Sequence, residues 1–154
     1  MNSYIISGLL FLSVFHGANL FAQKLHFSMT DVTRQAGITF KYTFGDFTYE
    51  NILESSGSGI SILVYDQDGF MDIYMLNGSY LEGISDKAGE VFKNTPNELY
   101  RNNGDGTFTE VAKLAGVDDR HWSMAAGVID YDGDGDQDIY LLNYGPNVFY
   151  RNNG

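Results

Sequence analysis

IDYDGDGDQDIYLLN, Ile129 to Asn143, is the stretch whose reading decides the fold. Aspartates stand at 130, 132, 134, 136 and 138, and β-prone apolar residues flank them on both sides. Two like charges ~6 Å apart repel by roughly 1–3 kcal/mol at dielectrics between those of water and a protein surface. A loop this acidic is therefore either disordered or wrapped around a cation.

With Asp130 as position 1, carboxylates fall at positions 1, 3, 5, 7 and 9, and Gly135 at position 6 permits a sharp turn. Calcium takes six to eight hard oxygens, carboxylate and carbonyl together, whereas magnesium keeps several of its waters. Asp130, Asp132, Asp134 and Asp138 are assigned as side-chain ligands. Asp136 is assigned through its backbone carbonyl, with its side chain in solvent. A helix–loop–helix calcium site would need Glu at position 12, but Leu141 stands there, and the flanks favour strands. The loop thus joins two strands of a hairpin.

The pattern recurs. LVYDQDGFMDIYMLN (63–77) matches the opening stretch at an offset of 66 residues, NELYRNNG (97–104) matches NVFYRNNG (147–154) at 50, and TDVTRQAGI (30–38) matches TEVAKLAGV (109–117). The two offsets differ by an insertion, residues 78–94, which is a candidate specificity loop. In the first copy of the acidic loop Val64 replaces the position-1 aspartate. Asp66, Asp68 and Asp72 remain, with the Phe70 carbonyl at position 7, so this loop is expected to hold calcium at least tenfold less tightly.

One unit reads as a Gly-rich strand, the acidic loop, a DIY strand, a YRN strand, a tight NGDG turn and a fourth strand TFTEVA. Short strands joined by turns and repeated in this way predict an all-β fold, a partial β-propeller of about one and a half four-stranded blades. The first blade is placed at 57–117 and a truncated second at 118–154. The chain reads as the N-terminal part of a longer protein. Residues 23–56 precede the blades, and their TDVTRQAGI copy is expected to serve as a ring-closing strand.

Acidic residues number 20 against 9 basic, for a net charge of -11. That excludes nucleic acid, whose phosphates need clustered Lys and Arg. With no cysteine, disulfides and thiol chemistry are excluded. Residues 1–22 carry the apolar run IISGLLFLSVF, of signal-peptide length. Its removal would leave no membrane span and an exported chain, secreted to the periplasm, the cell surface or the medium; an uncleaved anchor is the alternative reading. Asn77-Gly78-Ser79 fits a glycosylation acceptor. Trp122 is expected to pack between blades, and His16, His26 and His121 lack a second metal-spaced histidine. Arg101 and Arg151 are candidates for pairing with acidic loops of the neighbouring blade, with an exposed role as the alternative.

GSGISILVYDQDGFMDIYMLNG, LYRNNGDGTFTEVAKLAGV and WSMAAGVIDYDGDGDQDIYLLNYGPNVFYRNNG resemble the FG-GAP/VCBS repeats of integrin-α-like propellers. Among these the likeness is greatest to the secreted ASPIC/UnbV-type, cartilage-acidic-protein-like family. The resemblance implies a calcium-binding β-propeller that binds an extracellular protein or glycan, in adhesion, and is not an enzyme. The alternative is the propeller portion of a secreted polysaccharide-acting enzyme whose catalytic site lies elsewhere. No catalytic residue is assigned.

Overall fold

The computed structural model describes residues 27–154, and the fold below is that of the unit Asp31–Gly154. The signal segment expected at 1–22 lies outside the described residues. Two antiparallel sheets make up the unit. The first runs in chain order through β1 (Ile60–Leu63), β2 (Asp72–Met75), β3 (Glu98–Asn102) and β4 (Phe108–Glu110). The second contains β5 (Trp122–Ile129), β6 (Asp138–Tyr144) and β7 (Val148–Tyr150). Each strand is hydrogen-bonded to the next, as in a propeller blade. Each acidic loop closes a hairpin, β1–β2 or β5–β6, as expected from the flanks.

Leu63, Tyr74, Leu76 and Leu99 from the first sheet bury against Ile139 and Leu141 from the second, with Val111, Ala112 and Val117 completing the core. Strand alternation selects this set: along β6, Ile139, Leu141 and Asn143 point inward while Tyr140, Leu142 and Tyr144 stay exposed. Each fully buried leucine contributes about 1.5–3 kcal/mol by leaving water. Gly59 lets the inner strands meet. A Cβ there would lie 2.8 Å from the Met124 carbonyl oxygen and 2.8 Å from Leu76 Cδ1.

The two sheets are stacked head to tail. Leu63, Tyr74, Leu76 and Leu99, covered by the second sheet, correspond through the repeat to Ile129, Tyr140, Leu142 and Phe149. All four counterparts are exposed, by 40 to 57%. On the opposite face, Ala126, Val128, Ile139 and Leu141 of the second sheet pack on the first. Their counterparts include Ile60 and Ile62, which are exposed.

Two expectations are corrected. The fourth strand stops at Glu110, and the TEVAKLAGV repeat is mainly a helical turn, α1 (Ala112–Ala115), ended by Gly116 at φ 74°. TDVTRQAGI is likewise a helical turn and not a copied strand. Ala36 N donates to Val32 O at 2.7 Å and Ile38 N to Thr33 O at 3.1 Å, matching Ala115 N to Val111 O at 2.8 Å and Val117 N to Ala112 O at 2.9 Å. Gly37 at φ 78° takes the place of Gly116, since a left-handed residue is what releases the last carbonyls of such a turn. Residues 27–32 form no strand within this chain. Insertion 78–94 docks on the segment before the sheets: Gly78 N donates to Thr43 O at 2.9 Å, and the Phe92 ring packs 4.9 Å from Phe47. Gly45 and Gly89 give the close approach this docking requires, for a Cβ on Gly89 would sit 2.3 Å from Gly45 O.

Two phenols, Tyr74 buried and Tyr150 half-buried, tie the core to pH. Tyr74 OH donates to Val117 O at 2.6 Å, and burial holds its pKa far above the ordinary 10.0. Burial first, then the negative field of Asp119 and Asp118, raises Tyr150 to about 12. An unfolded tyrosine releases its proton near 10.0, so both groups favour the folded state below that pH and withdraw the support as pH rises towards 12. Stability is expected to fall between pH 10 and about 12, with tyrosinate absorbance rising together with loss of circular dichroism. Full phenol titration near pH 10 on an intact fold would contradict this.

Candidate functional site

The repeat in sequence is also a repeat in hydrogen bonds. Asp138 is fully buried and its carboxylate bridges two strands: Oδ2 accepts from Tyr131 N at 3.0 Å and Oδ1 from Asn152 N at 2.8 Å. Asp72 does the same in the first sheet, accepting from Tyr65 N at 3.0 Å and Asn102 N at 2.8 Å. The position-9 aspartate is therefore a bracket that fixes the start of the acidic loop to the end of the YRN strand. Burial raises the pKa of Asp72, against the two backbone hydrogen bonds that lower it. The asparagine of YRNNG is the other half of the bracket: Asn102 Oδ1 accepts from Gly104 N at 2.9 Å, and Asn152 Oδ1 from Gly154 N at 3.2 Å.

In the second loop Asp130 folds the chain around itself. Its Oδ1 accepts from Gly133 N at 2.8 Å and its Oδ2 from Gly135 N at 3.0 Å, while Asp134 Oδ1 accepts from Asp136 N at 2.9 Å. Gly133 and Gly135 both have positive φ, 75° and 96°, which glycine adopts without a Cβ clash. Oxygens of Asp130, Asp132 and Asp138 then converge to within 4.8 Å of one another. This is a hard, all-oxygen donor set that fits a divalent cation. Among the described residues it is the one acidic group so converged. Asp134 lies beside it, and Asp66, Asp68 and Asp72 of the first loop do not come together to that degree. Phe70, assigned there for its carbonyl, presents its ring to Gly104, whose Cβ would lie 2.8 Å from it.

Asp136 is a correction. Its side chain is not in solvent but 7% exposed, and it accepts a hydrogen bond from Gln67 Nε2 of the first sheet. Gln67 sits at φ 59°, where the second loop has Gly133, and its side chain crosses to the other sheet. Gln137 Oε1 accepts from Val64 N at 2.7 Å, and Asn152 Nδ2 donates to Tyr65 O at 2.8 Å. The two acidic loops are thus stitched together. Arg151 pairs with its own sheet's loop and not with a neighbour's: Nη2 lies 2.9 Å from Asp132 Oδ2 and 3.8 Å from Asp134 Oδ2.

At the other end of the sheets is a buried asparagine network that sequence reasoning missed. Asn97 Oδ1 accepts from Asn77 N at 2.7 Å, and Asn147 Oδ1 from Asn143 N at 3.0 Å. The signal was present in the repeats, as Asn opening NELY and NVFY and closing MLN and LLN. Asn77 is 1% exposed; its Oδ1 accepts from Thr43 N at 2.8 Å, so the glycosylation sequon is inaccessible in the folded chain. Asp119, His121 and Ser123 meet here without forming a nucleophilic relay. His121 Nδ1 lies 2.8 Å from Asp119 Oδ1, but Ser123 Oγ faces Asp119 and Asn97 Nδ2, not the imidazole. Trp122 is buried, as expected of a packing residue.

Among the described residues no helix is long and apolar enough to cross a membrane. Residues 65–141 match the FG-GAP-like repeat family. Cartilage acidic protein 1 of Homo sapiens is 40% identical over 72 residues, 44% of this chain, and the Mus musculus protein is 39% identical over the same length. Cartilage acidic protein 1 of Xenopus tropicalis is 36% identical over 72 residues. The chain spans 11% of the length of these relatives. The family match runs from the first acidic loop into the strand after the second, half of the chain, and spans both bracket aspartates, Asp72 and Asp138; the chain belongs to the FG-GAP-like repeat family.

Proposed function

We propose that this chain is part of an exported, calcium-braced propeller that binds an extracellular protein or glycan. The observation that carries the calcium reading is the convergence of Asp130, Asp132 and Asp138, with Asp134 beside them, on a hairpin whose backbone is already curved by Gly133 and Gly135. Bound there, calcium would neutralise the loop and add a cross-link between the β5–β6 hairpin and, through Asp138, the end of β7. The first loop, with Val64 at position 1, is the weaker site. Head-to-tail stacking supports the propeller: each sheet presents one face that takes the next repeat and an opposite face that docks on the previous one. Such an arrangement propagates until a ring closes. The relatives' printed name joins cartilage with acidity, and this chain carries a net charge of -11. An extracellular matrix component is the partner class this favours.

Calorimetric titration of the metal-free chain is expected to show two calcium sites differing at least about tenfold in affinity, and matrix-protein or glycan arrays to show binding that chelator removes. Equal affinities would undo the ranking of the two loops. Array binding indifferent to chelator would separate recognition from the metal.

A further inference from the structure

We infer that Arg151 is a built-in counter-ion of the second acidic loop, which a divalent cation must displace, and that it thereby sets the affinity of that site. The inference rests on the calcium reading above and goes beyond it. The guanidinium Nη2 lies 2.9 Å from Asp132 Oδ2 and 3.8 Å from Asp134 Oδ2, and Asp132 is one of the three converging carboxylates. A cation held by Asp132 would share that carboxylate with a fixed positive charge a few ångströms away. The chain contains its own control. Arg101 occupies the same place in the first YRNNG, yet among the described residues it forms no ion pair, and its Nη2 faces Asn103 Oδ1 at 3.4 Å.

Magnitude decides which partner wins. The Arg151 side chain is 52% exposed, and exposed pairs of this kind are weak because both groups stay hydrated and salt screens them. A divalent ion meeting three or four oxygens at once is far stronger than one guanidinium. The arginine therefore yields, but its displacement and residual repulsion reduce affinity by about 5- to 20-fold at low salt.

The test is calcium calorimetry on the full chain and on Arg151→Gln, Arg151→Lys and Arg101→Gln at low and high salt, with thermal melts in chelator to establish that each variant is folded. Arg151→Gln is expected to bind about 5- to 20-fold more tightly at low salt, with the gain shrinking at high salt. Arg151→Lys, which keeps the charge, should stay near the parent, and Arg101→Gln should leave the tighter site unchanged. In the parent chain the Arg151 Nε–H resonance should shift on calcium addition, a readout independent of any substitution. Unchanged or weaker binding by Arg151→Gln, or an unmoved resonance at saturation, overturns the inference while leaving the calcium site standing. Absence of calcium binding by the parent overturns both.

Discussion

Asp72→Ala is expected to unfold the first sheet or to leave it only marginally stable. The carboxylate is fully buried and accepts from two backbone amides, Tyr65 N and Asn102 N, on opposite sides of the acidic loop. Alanine leaves both half-buried donors without a partner, at up to about 1–3 kcal/mol each. The sum approaches the whole stability of many small domains, about 5–15 kcal/mol. The experiment that isolates the cause is urea denaturation in excess chelator. If Asp72 acts as a bracket, the loss persists without calcium; if it acts only as a ligand, parent and variant coincide in chelator. Asp138→Ala should behave alike in the second sheet, because its two hydrogen bonds are the same to within 0.1 Å.

Asp130→Val is expected to lower calcium affinity at the second loop by roughly a hundredfold, removing a charged ligand together with the hydrogen bonds that curve the loop. The substitution installs the residue that the first loop carries naturally at Val64. The variant should therefore titrate as two weak sites in place of one strong and one weak. A tight site surviving in Asp130→Val would mean that Asp132, Asp134 and Asp138 suffice, or that the ion sits elsewhere. Because Asp130 is exposed and takes no part in the inter-sheet stitching, its loss should change the melting temperature little in chelator. That separates it from the bracket aspartates.

The sequence by itself determined the hairpins and their order. These follow from local pattern: alternation places Tyr74 and Leu76 on one face, and Gly135 allows the turn. Repetition added the bracket, since Asn102 and Asn152 recur at a fixed offset in the same role. Tertiary structure alone decided what each carboxylate does. Asp136 and Asp138 look alike in the string of five, yet one accepts from Gln67 of the other sheet and the other ties two strands of its own. Which role an aspartate takes depends on donors far away in sequence, such as Asn152 N or Gln67 Nε2, and no local spacing encodes them. The helical turn in the TEVAKLAGV and TDVTRQAGI repeats was misread for a related reason. Their β-prone openings look like strand, but the Ala-Gly that follows offers a left-handed cap that ends a helical turn.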